Sequence, residues 1–410
     1  MVFGVTNENQ PFYGIRILDL GGEACALSGR LLAGLGAQVI KVEDPVGSTE
    51  RRRGPFLNDI PDPEKSLSFC YMNAGKLGIT LNLKSKDGQA IFKKLVKTAD
   101  VVIESFPVGH LDNLGIGFEA LNDINSGITM ASITPFGQTG PNSALSASSE
   151  LIACAAGGLM FLTGEPDKEP LQIGNNLAAY GAGGYAAVGI LAALHGRLKS
   201  GHGEHIDISM QDVVTSWLDM TWGNYQVAGN IQERFGSQGY MRIPASIYPC
   251  KDGYFFIIGI AMWDRVVSWL IEEGLDVKDL ADEKYMGFSG AKLLWELLPR
   301  VSQAIRDLGA KHTKAELMQM GQDRRIPVTM VVHARDIYSD PHLEARSFFA
   351  EVDNPNIGRF KYPDAPAKFT EPLWSTPSAS PRLGQHNEEI YKELGFQKEH
   401  LEILRAGGTI

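Results

Sequence analysis

The stretch GSTERRRGPF (47–56) sets Arg51, Arg52 and Arg53 in front of a Gly-Pro step. Guanidinium groups grip phosphate through paired N–H donors, so the run reads either as a phosphate-facing loop or as a solvated charge run. Lys76, in MNAGKLGITL, stands just before an apolar run. Glu150 opens LIACAAGGLMFLTG and is either a working carboxylate or an ordinary charge at a helix end. His202 and His205 lie three apart in GHGEHIDI, but no carboxylate or thiol cluster follows, and the stretch reads as a surface turn rather than a metal site. Gly21 and Gly22 follow a short apolar run in LGGEACALSGRLLAG. The G-x-G-x-x-G and GxxxxGK[ST] patterns are both absent, which argues against a dinucleotide turn and a P-loop. No G-x-S-x-G elbow or serine or cysteine triad pattern occurs. NNLAAYGAGGYAAVGILAALHGRL (175–198) reads as a helix of small residues that, from Leu177 to Leu194, carries no acid, base or nucleophile but the hydroxyls of Tyr180, at its entrance, and Tyr185.

The elements that must position these residues alternate. IRILDL (15–20), AQVIKVE (37–43), GITLNL (78–83), DVVIESF (100–106) and GITMASITPFG (127–137) read as strands. A helical run follows the glycine pair from Ala24 to Gly34. GQAIFKKLVKTA (88–99) has amphipathic spacing at Ile91, Phe92, Leu95 and Val96. This order predicts an α/β fold with a doubly wound parallel sheet. Ligands of such sheets bind at the carboxyl ends of strands, here Gly21/Gly22, Glu43, Ser105/Phe106 and Thr134–Gly137. The expected organisation is a large domain over 1–227, a smaller α+β domain inserted over 228–340, and a return strap with the rest of the large domain over 341–410. The segment 228–245 is glycine-rich, and the tail from Tyr362 is dense in proline.

The bulk properties narrow the function class. Of 410 residues, 44% are apolar and the formal net charge is −10. An acidic chain has no general basic surface for nucleic acid. The four cysteines are widely spaced, which suits reduced thiols and a cytoplasmic location. The N-terminus lacks a basic and then apolar leader, and the Gly/Ala-rich apolar runs read as buried helices rather than membrane spans.

Several stretches together resemble the class III CoA-transferases of the formyl-CoA and carnitine CoA-transferase type. They include GIRILDL, LAGLGAQVIKVEDPVGS, the segment from NAGKLGITLNL to NLGIGFEAL, ITPFGQTGP, GILAALHGRLKSGHGEHIDISMQD, IPVTMVVHARDIYSDPHLEARSFF and GQHNEEIYKELGF, in family order. The resemblance implies an interlocked dimer and CoA or an acyl-CoA as substrate, with no metal and no redox cofactor. It implies CoA contacts at Gly21, Gly22, Val42, Arg51, Arg52, Lys76, Ser105, Phe106 and Asn113. It also implies covalent chemistry. An aspartate attacks the acyl-CoA thioester to give a mixed anhydride. CoA thiolate then forms a thioester on that aspartate, and an acceptor carboxylate takes over the CoA.

The family's aspartate stands at the mouth of the small-residue helix, in a motif like (L/I)-A-D-Y-x-A-G. This chain reads Leu177-Ala178-Ala179-Tyr180, so Ala179 occupies the nucleophile's position and a methyl group cannot carry an acyl group. Leu27 and Ser28 replace a usual Gly-Pro, Ser105 replaces an asparagine, and Asn113 stands where an arginine is often found. Glu150 is left as a vestigial candidate. Some family members are two-paralogue enzymes, among them the succinyl-CoA-dependent benzylsuccinate CoA-transferase of anaerobic toluene degradation. This chain resembles their aspartate-less type of subunit. The expectation is therefore a non-catalytic subunit that pairs with an aspartate-bearing paralogue and binds neither nucleic acid nor membrane. Two alternatives stand beside it. One is an active transferase whose aspartate has been replaced by Ala179. The other is a CoA-ester racemase or lyase with Glu150 or Glu23 as base.

Overall fold

The computed structural model describes residues 8–145, 150–237, 245–259, 262–285, 296–376 and 378–410. The start of the N-terminal segment and residues 238–244 of the glycine-rich segment lie outside these. The chain divides into two compact units. The larger takes residues 1–159, 173–222 and 346–410; the smaller takes 160–172 and 223–345. The smaller unit thus begins a few residues before 228, ends a few after 340, and includes a short excursion, 160–172, that the sequence reading left in the large domain.

The larger unit is built on six parallel strands: β1 (Arg16–Asp19), β2 (Gln38–Glu43), β3 (Leu77–Thr80), β4 (Val101–Glu104), β5 (Thr129–Thr134) and β6 (His205–Ser209). Their spatial order is β3-β2-β1-β4-β5-β6. Ile17 is in register with both Val39 and Val101, so β1 is the central seam. Strands covered on both faces need apolar residues on both, and β4 (VVIE) and β5 (TMASIT) are buried at every position. The helices connecting and covering the sheet include α1 (Glu23–Gly34), α2 (Leu67–Met72), α3 (Lys86–Val96), α4 (His110–Asn113), α5 (Phe118–Asn122), α6 (Glu150–Ala156), α7 (Leu177–Ser200) and α8 (Met210–Ser216). Helix α3 starts where the Ser85 hydroxyl accepts the Gly88 N–H at 2.9 Å, and it buries Ile91, Phe92, Leu95 and Val96 on the sheet, the spacing read from sequence.

Helix α7 is long and apolar enough, by length and composition, to cross a membrane. Here it packs on α1, α8 and the β5–β6 edge of the sheet. Its buried face is Ala178, Ala179, Ala182, Gly183, Ala186, Ala187, Ile190 and Leu194. A Cβ at Gly183 would stand 3.1 Å from Leu27 Cβ and 3.2 Å from the Ala24 carbonyl, so the glycine sets how closely α7 approaches α1. The opposite face leaves Tyr185, Val188 and Leu198 exposed. Gly201, at a left-handed φ of 73°, ends the helix.

The smaller unit is α+β. Antiparallel β7 (Ala245–Cys250), β8 (Gly253–Ile258) and β9 (Val328–Val331) form one sheet. Its core unites Phe255, Ile257 and Val328 with Trp263, Trp269 and Leu270 of the helix Trp263–Glu272 and with Ile305 and Leu308 of the helix Leu298–Lys311. The return segment belongs to the larger unit. It opens with a two-stranded ribbon, β10 (Phe349–Asn354) with β11 (Gly358–Pro363), where the sequence suggested only a strap. It ends on helices that send Ile390, Tyr391 and Leu401 into the sheet's core.

Candidate functional site

The strand order reverses at β1, between β2 and β4, and the crevice beyond the carboxyl ends of β1 and β4 is where an open parallel sheet binds its ligand. Gly21 and Gly22 leave β1 there, and Ser105 and Phe106 leave β4. The two loops are tied directly: the Gly22 N–H donates to Ser105 Oγ at 2.9 Å. Phe106 stacks on His110, with ring centroids 4.9 Å apart, and its N–H donates to Glu104 at 2.7 Å. Asn113 is exposed on the short helix α4 that follows. Gly21, Gly22, Ser105 and Phe106 therefore converge as expected from sequence.

Three residues expected on the ligand surface have their side chains inside the protein. Val42 is core, 6% exposed. The Arg51 guanidinium is 1% exposed; it donates to both oxygens of Glu43 at 2.8 Å, to Glu64 at 3.1 Å and to the Pro381 carbonyl at 2.9 Å, and it lies over the Phe69 ring. The Lys76 amine is fully buried on Asp19 at 2.7 Å, Asn73 at 2.9 Å and the Ala26 carbonyl at 3.0 Å. Val42 is an apolar residue of a strand buried along its length, whereas Arg51, after β2, and Lys76, just before β3, turn inward to the carboxylates that a buried cation must find. Arg52 remains exposed, donating to the Val46 carbonyl at 3.1 Å, and Arg53 is half in solvent on Glu23.

The mouth of α7 differs. Ala179 is 5% exposed. The two oxygens of Glu150 accept the N–H groups of Ala178 at 2.7 Å and Ala179 at 3.0 Å. A carboxylate there satisfies two donors of the first turn and lies at the positive end of the helix dipole. Cys154 also donates to Glu150 at 3.3 Å, and burial together with that carboxylate pushes its thiol up to about 11. Glu23, in the first turn of α1, takes Arg53 and the amide of Asn176, the residue that precedes α7. Both glutamates that a proton-transfer reaction would draw on are therefore engaged.

Sequence reasoning missed two groups. Lys41 and Asp19 form a buried charge cluster under the Gly21–Gly22 loop; the signal was a charge inside each of two apolar strands, ILDL and VIKVE. Glu104 closes β4, and burial lifts its carboxyl to about 6 against the hydrogen bonds of Ser132 and Phe106. Ser132 also bonds His205 at 2.9 Å, so that histidine is a sheet-edge partner. Among the described residues no group of three or more His, Cys, Asp or Glu gathers as a metal site. A cavity of about 1240 Å³ opens in the larger unit near the amino ends of β1 and β2, lined by Arg16, Gln38, Asp353, Arg382 and His386, away from the crevice.

The chain's relatives agree with one another. A chain 32% identical over 98% of both sequences is the succinyl-CoA:(R)-benzylsuccinate CoA-transferase subunit BbsE of Thauera aromatica. At 30% identity, over 99% of both, stands the succinyl-CoA–L-malate CoA-transferase beta subunit of Chloroflexus aurantiacus. Among solved structures, a CAIB/BAIF family protein from Brucella suis superposes with a TM-score of 0.81 at 29% identity, over 94% of this chain and all of that one. Residues 12–387 match the model of CoA-transferase family III, whose members use CoA thioesters as substrates. The protein belongs to that family.

Proposed function

We propose that this chain is the non-catalytic subunit of a heteromeric class III CoA-transferase. The complex moves CoA from an acyl-CoA such as succinyl-CoA to a carboxylic acid such as an aryl-substituted succinate, in the cytoplasm. The observation that carries the reading is the mouth of α7: Ala179 is a buried methyl where the family's nucleophile stands, and the Glu150 carboxylate already fills the helix's first donors. Two relatives are themselves named as subunits, which supports a paralogous partner bearing the aspartate. The crevice at Gly21, Gly22, Ser105 and Phe106, rimmed by Arg52 and Asn113, takes the CoA ester; Val42, Arg51 and Lys76 shape it from within. The cavity near Arg16 and Arg382 and the exposed Tyr185–Val188–Leu198 face of α7 suit an interlocked partner chain.

The racemase or lyase reading needs a free glutamate base, and Glu150 and Glu23 are each held by two partners or more. The replaced-aspartate reading accounts for Ala179 but not for Leu27–Ser28 or Asn113. The deciding experiment expresses the chain alone and together with an aspartate-bearing paralogue, then follows CoA exchange from succinyl-CoA to carboxylic acids by mass spectrometry. Exchange by the pair and none by the single chain is expected. Turnover by the single chain overturns the proposal.

A further inference from the structure

Lys41 lies within a strand otherwise apolar around it, and its side chain is 1% exposed. An ammonium is retained in such a place only when it is paired. Glu50 stands 2.9 Å away and Asp19 3.6 Å away. Burial opposes the charge on Lys41, but Asp19, Glu50 and Glu43 outweigh it and hold the amine protonated. That amine donates to the carbonyl of Gly21. Asp19 Oδ1 in turn accepts the Gly21 N–H at 3.1 Å, while its other oxygen binds Lys76. Both backbone groups of Gly21 are thus held by charged side chains from inside the protein. Gly22 is held from the opposite wall by Ser105.

The two glycines differ in what they allow. A Cβ at Gly21 would fall 2.0 Å from Cys25 Sγ, so the packing forbids one. At Gly22 the nearest atom would be Ser105 Oγ at 3.7 Å. The fold leaves room for a side chain there, and the bare backbone of a half-exposed residue at the switch point is what a ligand can approach closely.

We infer that Lys41 is a positioning residue for the CoA ester: acting through the Gly21 carbonyl, it fixes the loop that forms one wall of the crevice. This rests on the proposed placement of the CoA ester in that crevice. Lys41 itself touches no ligand.

The test follows amide hydrogen exchange of residues 19–24 in the co-purified complex while CoA is titrated, for the wild type, Lys41→Met and Lys41→Arg. The wild type is expected to show protection of this segment by CoA. Lys41→Met should speed exchange without ligand and raise the CoA concentration for half-protection about tenfold. Lys41→Arg, which keeps the charge and a donor, should recover most of that loss, and the KM for the acceptor acid should not move. A variant that falls in melting temperature yet keeps the wild-type midpoint overturns the inference and leaves the crevice as the CoA site. Absence of protection in the wild type at saturating CoA overturns the crevice reading, and the inference with it. Should Lys41→Met not yield soluble protein, Ser105→Ala frees Gly22 from the other wall; an unchanged midpoint there counts against the lock.

Discussion

The crevice at the carboxyl ends of β1 and β4 and the mouth of α7 lie at opposite ends of one link, the side chain of Glu23. Glu23 begins α1 beside the glycine loop and takes the amide of Asn176 at the start of α7. In the crevice, charged groups are spent on holding backbone in place: Lys41 and Asp19 on Gly21, Glu104 on Phe106. At the mouth of α7, Glu150 holds the helix's own donors, and Ala179, at the position proposed for the nucleophile, has no functional group. Loop backbone is held in place by charged side chains in one region, while in the other a carboxylate caps a helix. Under the proposed non-catalytic role, relief from catalysis with retention of the scaffold accounts for that difference.

The sharpest way to break the comparison is to part the two helices that tie the regions together. Gly183→Leu places a side chain against Leu27 and the Ala24 carbonyl, where neither helix can retreat without moving its mouth. Overpacking of this kind costs about 3 kcal/mol, read as a lower melting temperature and poor recovery of soluble chain. The neighbouring residue is the control. Nothing stands within 4 Å of a Cβ at Gly184, so Gly184→Leu should leave the single chain folded. If a partner covers that face, the same substitution lowers recovery of the complex by co-purification. Equal behaviour of the two variants would mean that the α1–α7 contact does not set the spacing.

Glu104 distinguishes the regions by pH. Its carboxyl titrates at about 6 in the folded protein, against 4.5 without burial. The folded state then binds the proton more tightly than the unfolded one. Glu104 therefore costs no stability below pH 4.5, and its penalty grows as the pH rises through 6. That shift corresponds to about 2 kcal/mol. Glu104→Gln should remove this slope, so the stability difference between wild type and variant, measured by denaturant titration from pH 4 to 7.5, should open as the pH rises. A flat difference would place Glu104 in water. The matching substitution at the other region, Glu150→Ala, removes the acceptor of two first-turn N–H groups of α7 and should cost about 1 kcal/mol. Glu150→Gln should recover part of it, because an amide oxygen accepts but carries no charge for the dipole.

The sheet was legible because buried parallel strands read as unbroken apolar runs; β1, β2, β4 and β5 fall inside the stretches expected. The glycine pair, Ser105 and Phe106 were legible because strand ends follow from strand order. Side-chain direction in a loop was not. Arg51 sits in the same run as Arg52 and Arg53, and only the fold shows that it turns inward to Glu43 while Arg52 stays out. Glu150 was found as a residue of interest, but its job was hidden, since a helix is usually capped from its own flank and this carboxylate arrives from 28 and 29 residues upstream of Ala178 and Ala179. The β10–β11 ribbon was missed because prolines around it suggested an extended strap; Pro363 closes the last strand, where a missing N–H costs little.

The smallest effect expected is the most telling for the proposed role. Ala179→Asp restores the family's nucleophile in a single step. The new carboxylate would enter a first turn whose donors are already filled by Glu150, at 2.7 and 3.0 Å, so two carboxylates would share one helix end. Like charges at one helix end repel, so the new carboxylate would compete with Glu150 for the same donors instead of being held ready for attack. The changed residues at Leu27, Ser28 and Asn113 would remain. The single chain carrying Ala179→Asp should therefore fold and assemble as the wild type does, and should show no CoA exchange from succinyl-CoA by mass spectrometry. Full exchange from this one substitution would mean that only the nucleophile is missing and would favour a replaced aspartate in an otherwise complete enzyme. Exchange that appears only when Glu150→Gln is added would sharpen the comparison instead, because it would show that the resident carboxylate, rather than the distant departures, is what keeps this mouth silent.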